Sequence, residues 1–254
     1  MISLAGKVAV VTGGSRGIGA AAVKLFARAG ARVVFSYHRR RDAALEVAAE
    51  VQQLGGEGVA VRADLRRLAD ARRLVETAVR RFGRVDILVA NAGIWNEEDI
   101  PIEKLSEREW DEMMDTNLKS VYAAIRYAVP VMKRQGGGRI IPISSTAGQR
   151  GEAFHAHYAA TKGAIISMVK GLSTELAPHN ILVNCVAPGW VDTEMSLPVL
   201  RKPKLRRWVE NQIPLRRVGT AEEIAGPILF LASELATFMT GEIVNVNGGA
   251  VLVG

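Results

Sequence analysis

The sequence lacks the usual marks of a secreted or membrane protein. Cys185 is its only cysteine, so an internal disulfide is excluded and a reducing compartment, the cytoplasm, is expected. No apolar run approaches the roughly 18 residues that a membrane span requires. Residues 1–7 do not form a charged segment followed by a long apolar stretch. We therefore expect neither a signal peptide nor a membrane partner.

Repeats and low-complexity tracts are also absent. The 254 residues are 48% hydrophobic, which is enough for a sizeable core in one domain spanning residues 1–254. Lys and Arg (33) exceed Asp and Glu (26), and the resulting charge of +7 suits anionic ligands. The basic residues are scattered and no recognition motif for nucleic acid is present, so nucleic acid is not expected as a partner.

Metal-ligand spacing is missing as well. His155 and His157 are two residues apart, and no third ligand converges on them in the sequence. We expect no metal site, and we place His155 near the entrance of a substrate pocket.

Glycines are concentrated where a strand gives way to a helix near the N-terminus. The apolar run Lys7–Val11 predicts a buried strand, and residues 20–29 predict a helix. Between them Gly13, Gly17 and Gly19 form a G-x-x-x-G-x-G turn. Glycines let the backbone approach a pyrophosphate closely, and a helix N-terminus offers free N–H groups. This context favours nucleotide binding over a merely structural turn.

An acidic residue is missing after the second predicted strand, Arg32–Ser36. NAD-binding units usually carry one there to hold the ribose 2′-hydroxyl. This chain instead continues Tyr37-His38-Arg39-Arg40-Arg41 before its first acid, Asp42. Arginines suit a 2′-phosphate, and Arg16 in the glycine turn is placed to join them. We predict NADP(H) as the preferred cofactor and NAD(H) as the alternative. The other explanation of the arginines is a solvated charge run that opens the next helix.

Strand and helix patterns alternate through the rest of the chain. Further strands are predicted at 58–62, 85–89, 139–143, 181–186 and 241–246, and helices at 42–54, 68–82, 107–134, 158–177 and 220–233. Alternation of this kind predicts an α/β fold of the doubly wound Rossmann type. We expect a single domain with a mainly parallel seven-stranded sheet and helices on both faces.

Three side chains with complementary chemistry follow the fifth predicted strand. Tyr158 and Lys162 are four residues apart in a helical run, so phenol and ammonium project from one face. Ser145 falls at the carboxyl end of the strand, where open α/β sheets bind ligands. An ammonium beside a phenol lowers its pKa from about 10 and lets it exchange a proton. The alternative for Tyr158 and Lys162 is an ordinary surface helix.

Two further regions are candidates for the substrate side. Trp95 and Trp190 follow the fourth and sixth predicted strands, and each either lines the pocket or packs structurally. Residues 194–216 contain three prolines and five basic residues between 201 and 207, so we expect an irregular, mobile substrate lid. The apolar tail from residue 247 is expected to lie against the fold or a partner subunit.

Taken together, these motifs resemble those of the short-chain dehydrogenase/reductase family, from residue 7 to the C-terminus. The resemblance is carried by residues 12–19 (Thr-Gly-Gly-Ser-Arg-Gly-Ile-Gly), Asp64, Asn91-Ala-Gly, Asn117, Ser145, Tyr158-x-x-x-Lys162, Pro188-Gly189 and Thr193. Within the family the chain looks most like the 3-oxoacyl-(acyl-carrier-protein) reductases, through the Ser-Arg of the glycine turn and the ending Val246-Asn-Gly-Gly. One departure is Ala90, where the family often has a second asparagine, and we expect it to affect stability slightly.

The resemblance implies a role for each matching residue. Tyr158 would be the general acid, Ser145 would bind the substrate oxygen, Lys162 would hold the nicotinamide ribose and Asn117 would hold a water in a proton relay. The remaining cofactor contacts would come from Gly13, Ser15, Arg16, Gly17, Ile18, Gly19, Tyr37, His38, Arg39, Asp64, Leu65, Asn91, Ala92, Gly93, Tyr158, Pro188, Gly189, Val191 and Thr193. The substrate would contact Ser145, Trp95, His155 and Trp190.

The function expected from these residues is NADPH-dependent reduction of a carbonyl to a secondary alcohol. The candidate substrate is a 3-oxoacyl thioester linked to CoA or to an acyl carrier protein, which would then be a partner. The alternative is an alcohol, polyol or steroid dehydrogenase that works in the oxidative direction. A cofactor-binding regulator without turnover is disfavoured, because it would not need Ser145, Tyr158, Lys162 and Asn117 together. The resemblance also implies a homotetramer in which helices 107–134 and 156–177 pack between subunits.

Overall fold

A computed structural model describes residues 2–253 and has a parallel sheet at its centre. Six strands lie in the order β3-β2-β1-β4-β5-β6, and every neighbouring pair is parallel. They are β1 (Val8–Val11), β2 (Arg32–Tyr37), β3 (Gly58–Arg62), β4 (Ile87–Ala90), β5 (Gly138–Pro142) and β6 (Ile181–Val183). The strand order reverses between β1 and β4, and ligands bind at such a point in doubly wound sheets.

Helices cover both faces of this sheet. They are α1 (Gly17–Arg28), α2 (Arg41–Gln53), α3 (Leu68–Phe82), α4 (Glu107–Met113), α5 (Ser120–Arg134), α6 (Thr146–Arg150), α7 (Ala156–Leu176), α8 (Leu197–Leu200), α9 (Pro203–Gln212) and α10 (Ala221–Ala232). One buried cluster joins α1 and α10 to one face of the sheet, with Phe26 and Phe35 among its largest members. A second joins α3, α5 and α7 to the other face around Leu74 and Met132. The predicted doubly wound α/β architecture is confirmed.

The strand count differs from the prediction. The expected strand 181–186 is divided at Asn184 into β6 and β7 (Cys185–Pro188), and β7 pairs in parallel with β8 (Ile243–Val246) in a separate two-stranded sheet. The backbone changes partner here, because Asn184 N donates to Ile140 O at 3.0 Å while Cys185 N donates to Glu242 O at 2.8 Å. The fold therefore has a six-stranded and a two-stranded sheet where seven strands in one sheet were expected.

The helix expected over 107–134 is also interrupted. A π-helical turn, Met114–Lys119, separates α4 from α5, and Asn117 lies within it. Ser106 caps the start of α4 and forms a capping box with Glu109. Because a π turn widens the helix by one residue, it redirects the side chains on either side, and such turns are frequent at functional sites.

The expectation of an irregular segment over 194–216 was wrong, since α8 and α9 form there. Pro198 and Pro203 occupy first-turn positions, where a proline does not disturb a helix. Leu200, Val209 and Ile213 form a small buried cluster with Val218, and Trp190 and Ala250 pack against it, so the segment is joined to the rest of the fold. In the tail Val251 is buried, whereas Leu252 is exposed. Among the described residues, no helix is long and apolar enough to cross a membrane.

Candidate active site

A cavity of about 140 Å³ opens at the carboxyl edge of the parallel strands, where the loops after β1, β4, β5 and β7 meet. Its lining contains twelve of the residues predicted for the site: Ile18, Asn91, Gly93, Trp95, Ser145, Tyr158, Lys162, Pro188, Gly189, Trp190, Val191 and Thr193. The topology explains this convergence, because parallel strands deliver their following loops to one edge. The remaining predicted residues lie outside the lining of this cavity.

Ser145 and Tyr158 face each other inside this cavity. Ser145 caps α6 by accepting a hydrogen bond from Ala147 N at 3.1 Å, which fixes its position at the end of β5. Burial raises the pKa of Tyr158 to about 12, a hydrogen bond with the Ser145 side chain lowers it, and the charge of Glu152 raises it further. The expected lowering of the phenol pKa by Lys162 is not found, since burial dominates. The phenol therefore stays protonated throughout the neutral range.

Lys162 is held one turn further along α7. Its Nζ lies 5.7 Å from the centre of the Tyr158 ring and donates a hydrogen bond to Ile143 O at 3.0 Å. Burial lowers the pKa of the amine to about 8. The backbone of Lys162 is also fixed, because Ser144 Oγ donates a hydrogen bond to Lys162 O at 2.8 Å. Lys162 therefore reaches the cavity from a fixed backbone.

Asn117 reaches the loop after β4 from the π turn. Its Oδ1 accepts from Ile94 N at 2.7 Å and its Nδ2 donates to Ile94 O at 2.9 Å. A Cβ on Gly93 would lie 3.1 Å from Asn117 Oδ1 and 3.6 Å from Lys162 Nζ, so a glycine lets these groups approach. The side chain of Asn117 thus fixes the loop that lines the cavity. The proton relay through a water held by Asn117 stays a prediction.

The glycine turn has the geometry of an anion cradle. Gly13 and Gly17 have φ of +65° and +53°, in the region that favours glycine. A Cβ on Gly19 would lie 2.2 Å from Gly13 O, so a larger residue cannot fit there. Within the described residues, no side chain caps the N-terminus of α1, whose first turn contains no acidic residue. Free N–H groups and the positive end of the helix dipole fit a pyrophosphate.

Thr12 fastens this turn to the loop after β4. Its Oγ1 accepts hydrogen bonds from Asn91 N and Ala92 N, both at 2.9 Å. The Asn91 side chain returns to the turn, with Nδ2 donating to Thr12 O at 3.0 Å and to Gly13 O at 3.2 Å. Ala90 is buried at the strand end. The two loops that would hold the cofactor are therefore tied together before any ligand binds.

Charged side chains gather at the end of β2, where the adenosine was expected. Asp64 binds Arg66 at 2.8 Å and lies 3.9 Å from His38, and the hydrogen bond from Arg66 is the main reason that the pKa of Asp64 falls to about 2. Arg16 contacts Glu194 at 2.8 Å. Arg39 is exposed and forms no ion pair with any residue in the described range. The Arg16–Glu194 ion pair carries no sequence signal, because it depends on two loops that meet in three dimensions. Asp64 and Arg66, by contrast, are only two residues apart in the chain.

Trp95 and Trp190 form the aromatic wall on the substrate side. Their rings are nearly perpendicular, with centroids 5.8 Å apart. The ring of His155 stacks on Trp95 at 5.1 Å, so this histidine supports the wall from outside the lining. Sequence reasoning missed Glu152, which lines the cavity from the loop between α6 and α7. Residues 2–253 contain no group of three or more His, Cys, Asp or Glu side chains placed to hold a metal ion.

Comparison with known proteins agrees with this geometry. The family described as Enoyl-(Acyl carrier protein) reductase matches residues 13–251. A 3-oxoacyl-(acyl-carrier-protein) reductase FabG of Staphylococcus epidermidis is 38% identical over 96% of this chain and 98% of its own length. An uncharacterized oxidoreductase of Methylorubrum extorquens is 41% identical over 98% of this chain and 99% of its own.

Solved structures have the same fold. A short-chain type dehydrogenase/reductase from Mycobacterium marinum superimposes with a TM-score of 0.93 at 33% identity, covering 99% of this chain and 98% of that one. A dehydrogenase/reductase from Sinorhizobium meliloti reaches a TM-score of 0.92 at 37% identity, covering 98% of this chain and 97% of that one. The chain is therefore an oxidoreductase that belongs to the short-chain dehydrogenase/reductase family.

Proposed function

We propose that the protein uses NADPH to reduce a carbonyl to a secondary alcohol, with a short 3-oxoacyl thioester as the first candidate substrate. The observation that carries the proposal is the convergence of Ser145, Tyr158 and Lys162 in one cavity. The relatives named as 3-oxoacyl-(acyl-carrier-protein) reductases support the thioester and an acyl carrier protein as partner. The single cysteine is in keeping with a cytoplasmic site of action.

The proton in this reaction would come from Tyr158. Its hydroxyl stays protonated at neutral pH because burial raises the pKa to about 12, so it can donate a proton to the oxygen of the reduced carbonyl. Ser145 would hold that oxygen by a second hydrogen bond and orient the carbonyl. The ammonium of Lys162 would favour the phenolate once the proton has left.

The chain has the groups needed to hold a dinucleotide along the same edge. The N-terminus of α1 would bind the pyrophosphate, and Asn91, Gly93 and Thr193 line the same cavity as Lys162. The nicotinamide supplies the hydride when the cofactor is bound. The residues near Tyr37 and Arg39, together with Arg16, would carry the preference for NADPH, because guanidinium groups suit a 2′-phosphate.

Two structural expectations belong to the same proposal. Residues 194–216 would act as a lid, since Glu194 at their start reaches Arg16 in the glycine turn. The enzyme would work as a homotetramer built on α4–α5 and α7.

The test measures the loss of reduced-nicotinamide absorbance with NADPH and acetoacetyl-CoA. Tyr158→Phe should lower kcat by about 10²–10⁴-fold and leave NADPH binding intact, because only the proton donor is lost. Tyr122→Phe, at an exposed tyrosine on α5, is the matched control and should retain full activity. A folded wild type that binds NADPH but reduces neither acetoacetyl-CoA nor a panel of ketones would overturn the proposal.

Cofactor preference is measured in the same assay. Wild type should have a lower KM for NADPH than for NADH, and Arg39→Ala should raise the KM for NADPH alone. A lower KM for NADH, or an unchanged KM for NADPH in the variant, would contradict the role given to the arginines.

A further inference from the structure

Glu152 places a carboxylate in the substrate cavity. It lies in the loop between α6 and α7 and lines the same cavity as Ser145 and Tyr158. Its charge also acts on the Tyr158 phenol. A carboxylate in this cavity is unexpected for a pocket that accepts only an aliphatic chain. Burying a charged group against apolar surface is unfavourable in free energy.

The protein engages only one oxygen of this carboxylate. Glu152 Oε1 accepts from Trp95 Nε1 at 3.3 Å and lies 3.8 Å from His155 Nδ1. Both ring nitrogens of His155 are also within 3.1 Å of backbone carbonyl oxygens, those of Ala153 and Asn96. Among residues 2–253 no donor reaches Glu152 Oε2, and 20% of the Glu152 side chain is exposed. One carboxylate oxygen of Glu152, Oε1, is thus held by the protein, and the other, Oε2, is open to a ligand.

The open oxygen can accept a hydrogen bond from a bound ligand. Carboxylates that are ionised form some of the strongest hydrogen bonds in proteins. Arg150 and Lys162 line the same cavity, so two cationic groups there disfavour a substrate ammonium. A neutral hydroxyl group is not repelled by these two cations. A thioester carbonyl beside Glu152 would instead place its oxygen against the carboxylate oxygen, and both of these oxygens are hydrogen-bond acceptors.

We propose that Glu152 determines specificity by accepting a hydrogen bond from a substrate hydroxyl beside the carbonyl that is reduced. The substrate class is then the short hydroxy ketones, whose carbonyl lies at Ser145 and Tyr158 and whose hydroxyl lies at Glu152. The inference rests on the proposed carbonyl reduction and differs from its first candidate in the group next to the carbonyl. Trp95 and Trp190 enclose the small apolar remainder of such a molecule.

A matched substrate pair tests this role. In 1-hydroxy-2-butanone a hydroxyl stands where 3-pentanone has a methyl group, so the two ketones differ mainly in the donor. Wild type should prefer the hydroxy ketone in kcat/KM. Glu152→Ala should reduce that preference by about 10- to 100-fold, the range for a hydrogen bond to a charged group. Glu152→Gln, which retains an acceptor for Trp95, should reduce it by a smaller factor.

The quantity compared is the ratio of kcat/KM for the hydroxy ketone to that for 3-pentanone. Comparing this ratio between wild type and variants cancels the different intrinsic reactivities of the two ketones. Glu98→Gln, at an exposed carboxylate, is the control and should leave the ratio unchanged. If both Glu152 variants lower kcat/KM for both ketones by the same factor, Glu152 merely supports Trp95 and the inference is wrong. It is equally wrong if wild type reduces acetoacetyl-CoA but not the hydroxy ketone.

The proposed function fails in a different way. A wild type that binds NADPH and reduces no carbonyl compound would overturn carbonyl reduction itself, and the role of Glu152 with it. Reduction of acetoacetyl-CoA with a ketone ratio that is insensitive to Glu152 would overturn the role of Glu152 alone.

Discussion

Lys162 carries an amine into the interior of the protein, with only 5% of the residue exposed. Burial lowers the pKa of this amine to about 8 from its ordinary value of 10.5. Below pH 8 the folded protein must therefore bury a cation that the unfolded chain keeps in water. The shift corresponds to a cost on the order of 3 kcal/mol in the free energy of unfolding. The amine that carries this cost lines the proposed catalytic cavity, and functional sites commonly reduce stability.

Replacing Lys162 should reveal this cost. Between pH 8 and 10.5 the unfolded state binds more protons than the folded state, so the burial cost falls as pH rises through that window. Lys162→Met should be more stable than wild type at pH 7 by about 2 kcal/mol, after about 1 kcal/mol is lost with the hydrogen bond to Ile143 O. The advantage should vanish by pH 10.5. Urea unfolding at both pH values measures it.

The control for this prediction is Lys170→Met, at an exposed lysine of the same helix. It should change stability little at either pH. If Lys162→Met differed from wild type by the same amount at pH 7 and pH 10.5, the amine would not titrate as its burial implies.

The sequence predicts residues whose role depends on local spacing and misses those that depend on the folded surroundings. Tyr158 and Lys162 are recognisable because i and i+4 share a helix face, and Ser145 because it closely follows a strand. The direction of the Tyr158 pKa shift was predicted wrongly, because burial is invisible in the sequence. Glu152 was missed because a loop carboxylate becomes significant only when Trp95 and His155 close around it.

At the scale of elements, Thr12 joins β1 to the loop after β4. One buried hydroxyl oxygen accepts from two backbone N–H groups, those of Asn91 and Ala92. The glycine turn that follows Thr12 and the loop that follows β4 would both contact the cofactor. Their relative position depends on this side chain, because the strands themselves end at Val11 and Ala90.

Thr12→Val should break this connection without changing the size of the side chain. Two half-buried N–H groups would lose their acceptor, which should cost about 2–4 kcal/mol in the free energy of unfolding and weaken NADPH binding. Thr12→Ser keeps the acceptor and removes a methyl group, so its cost should stay near 1 kcal/mol. Denaturant unfolding and a NADPH titration measure the two variants. A Thr12→Val variant as stable as wild type, with the loss confined to Thr12→Ser, would show that the methyl group, not the oxygen, matters.

Element boundaries were predicted correctly where the cause is local and wrongly where it is distant. The alternation of strands and helices gave the order of the elements, because hydrophobic periodicity is a local property. The π turn around Asn117 and the division of the strand at Asn184 were not predicted. Asn117 bonds to Ile94, and the backbone at Asn184 changes partner from Ile140 to Glu242, so both features depend on residues far away in the chain.

At the scale of the whole molecule, large apolar side chains remain on the surface of a single chain. Phe238 is fully exposed and Leu235 and Leu252 are mostly exposed, all near β8 and the C-terminal tail. Tyr122 on α5 is also exposed. Exposed apolar side chains are often covered when subunits associate, and the proposed homotetramer built on α4–α5 and α7 would cover Tyr122.

The mass in solution tests the assembly. Light scattering should give about 110 kDa, four times the 27.4 kDa chain, at working concentration. If α5 packs against its symmetry mate, Tyr122→Asp places two carboxylates in one interface and should lower the mass to that of a dimer. Ser167→Asp, at an exposed position on α7, tests the other predicted helix face. A wild-type mass near 27 kDa would show that α4–α5 and α7 are free surfaces, and the exposed apolar residues would then need another partner.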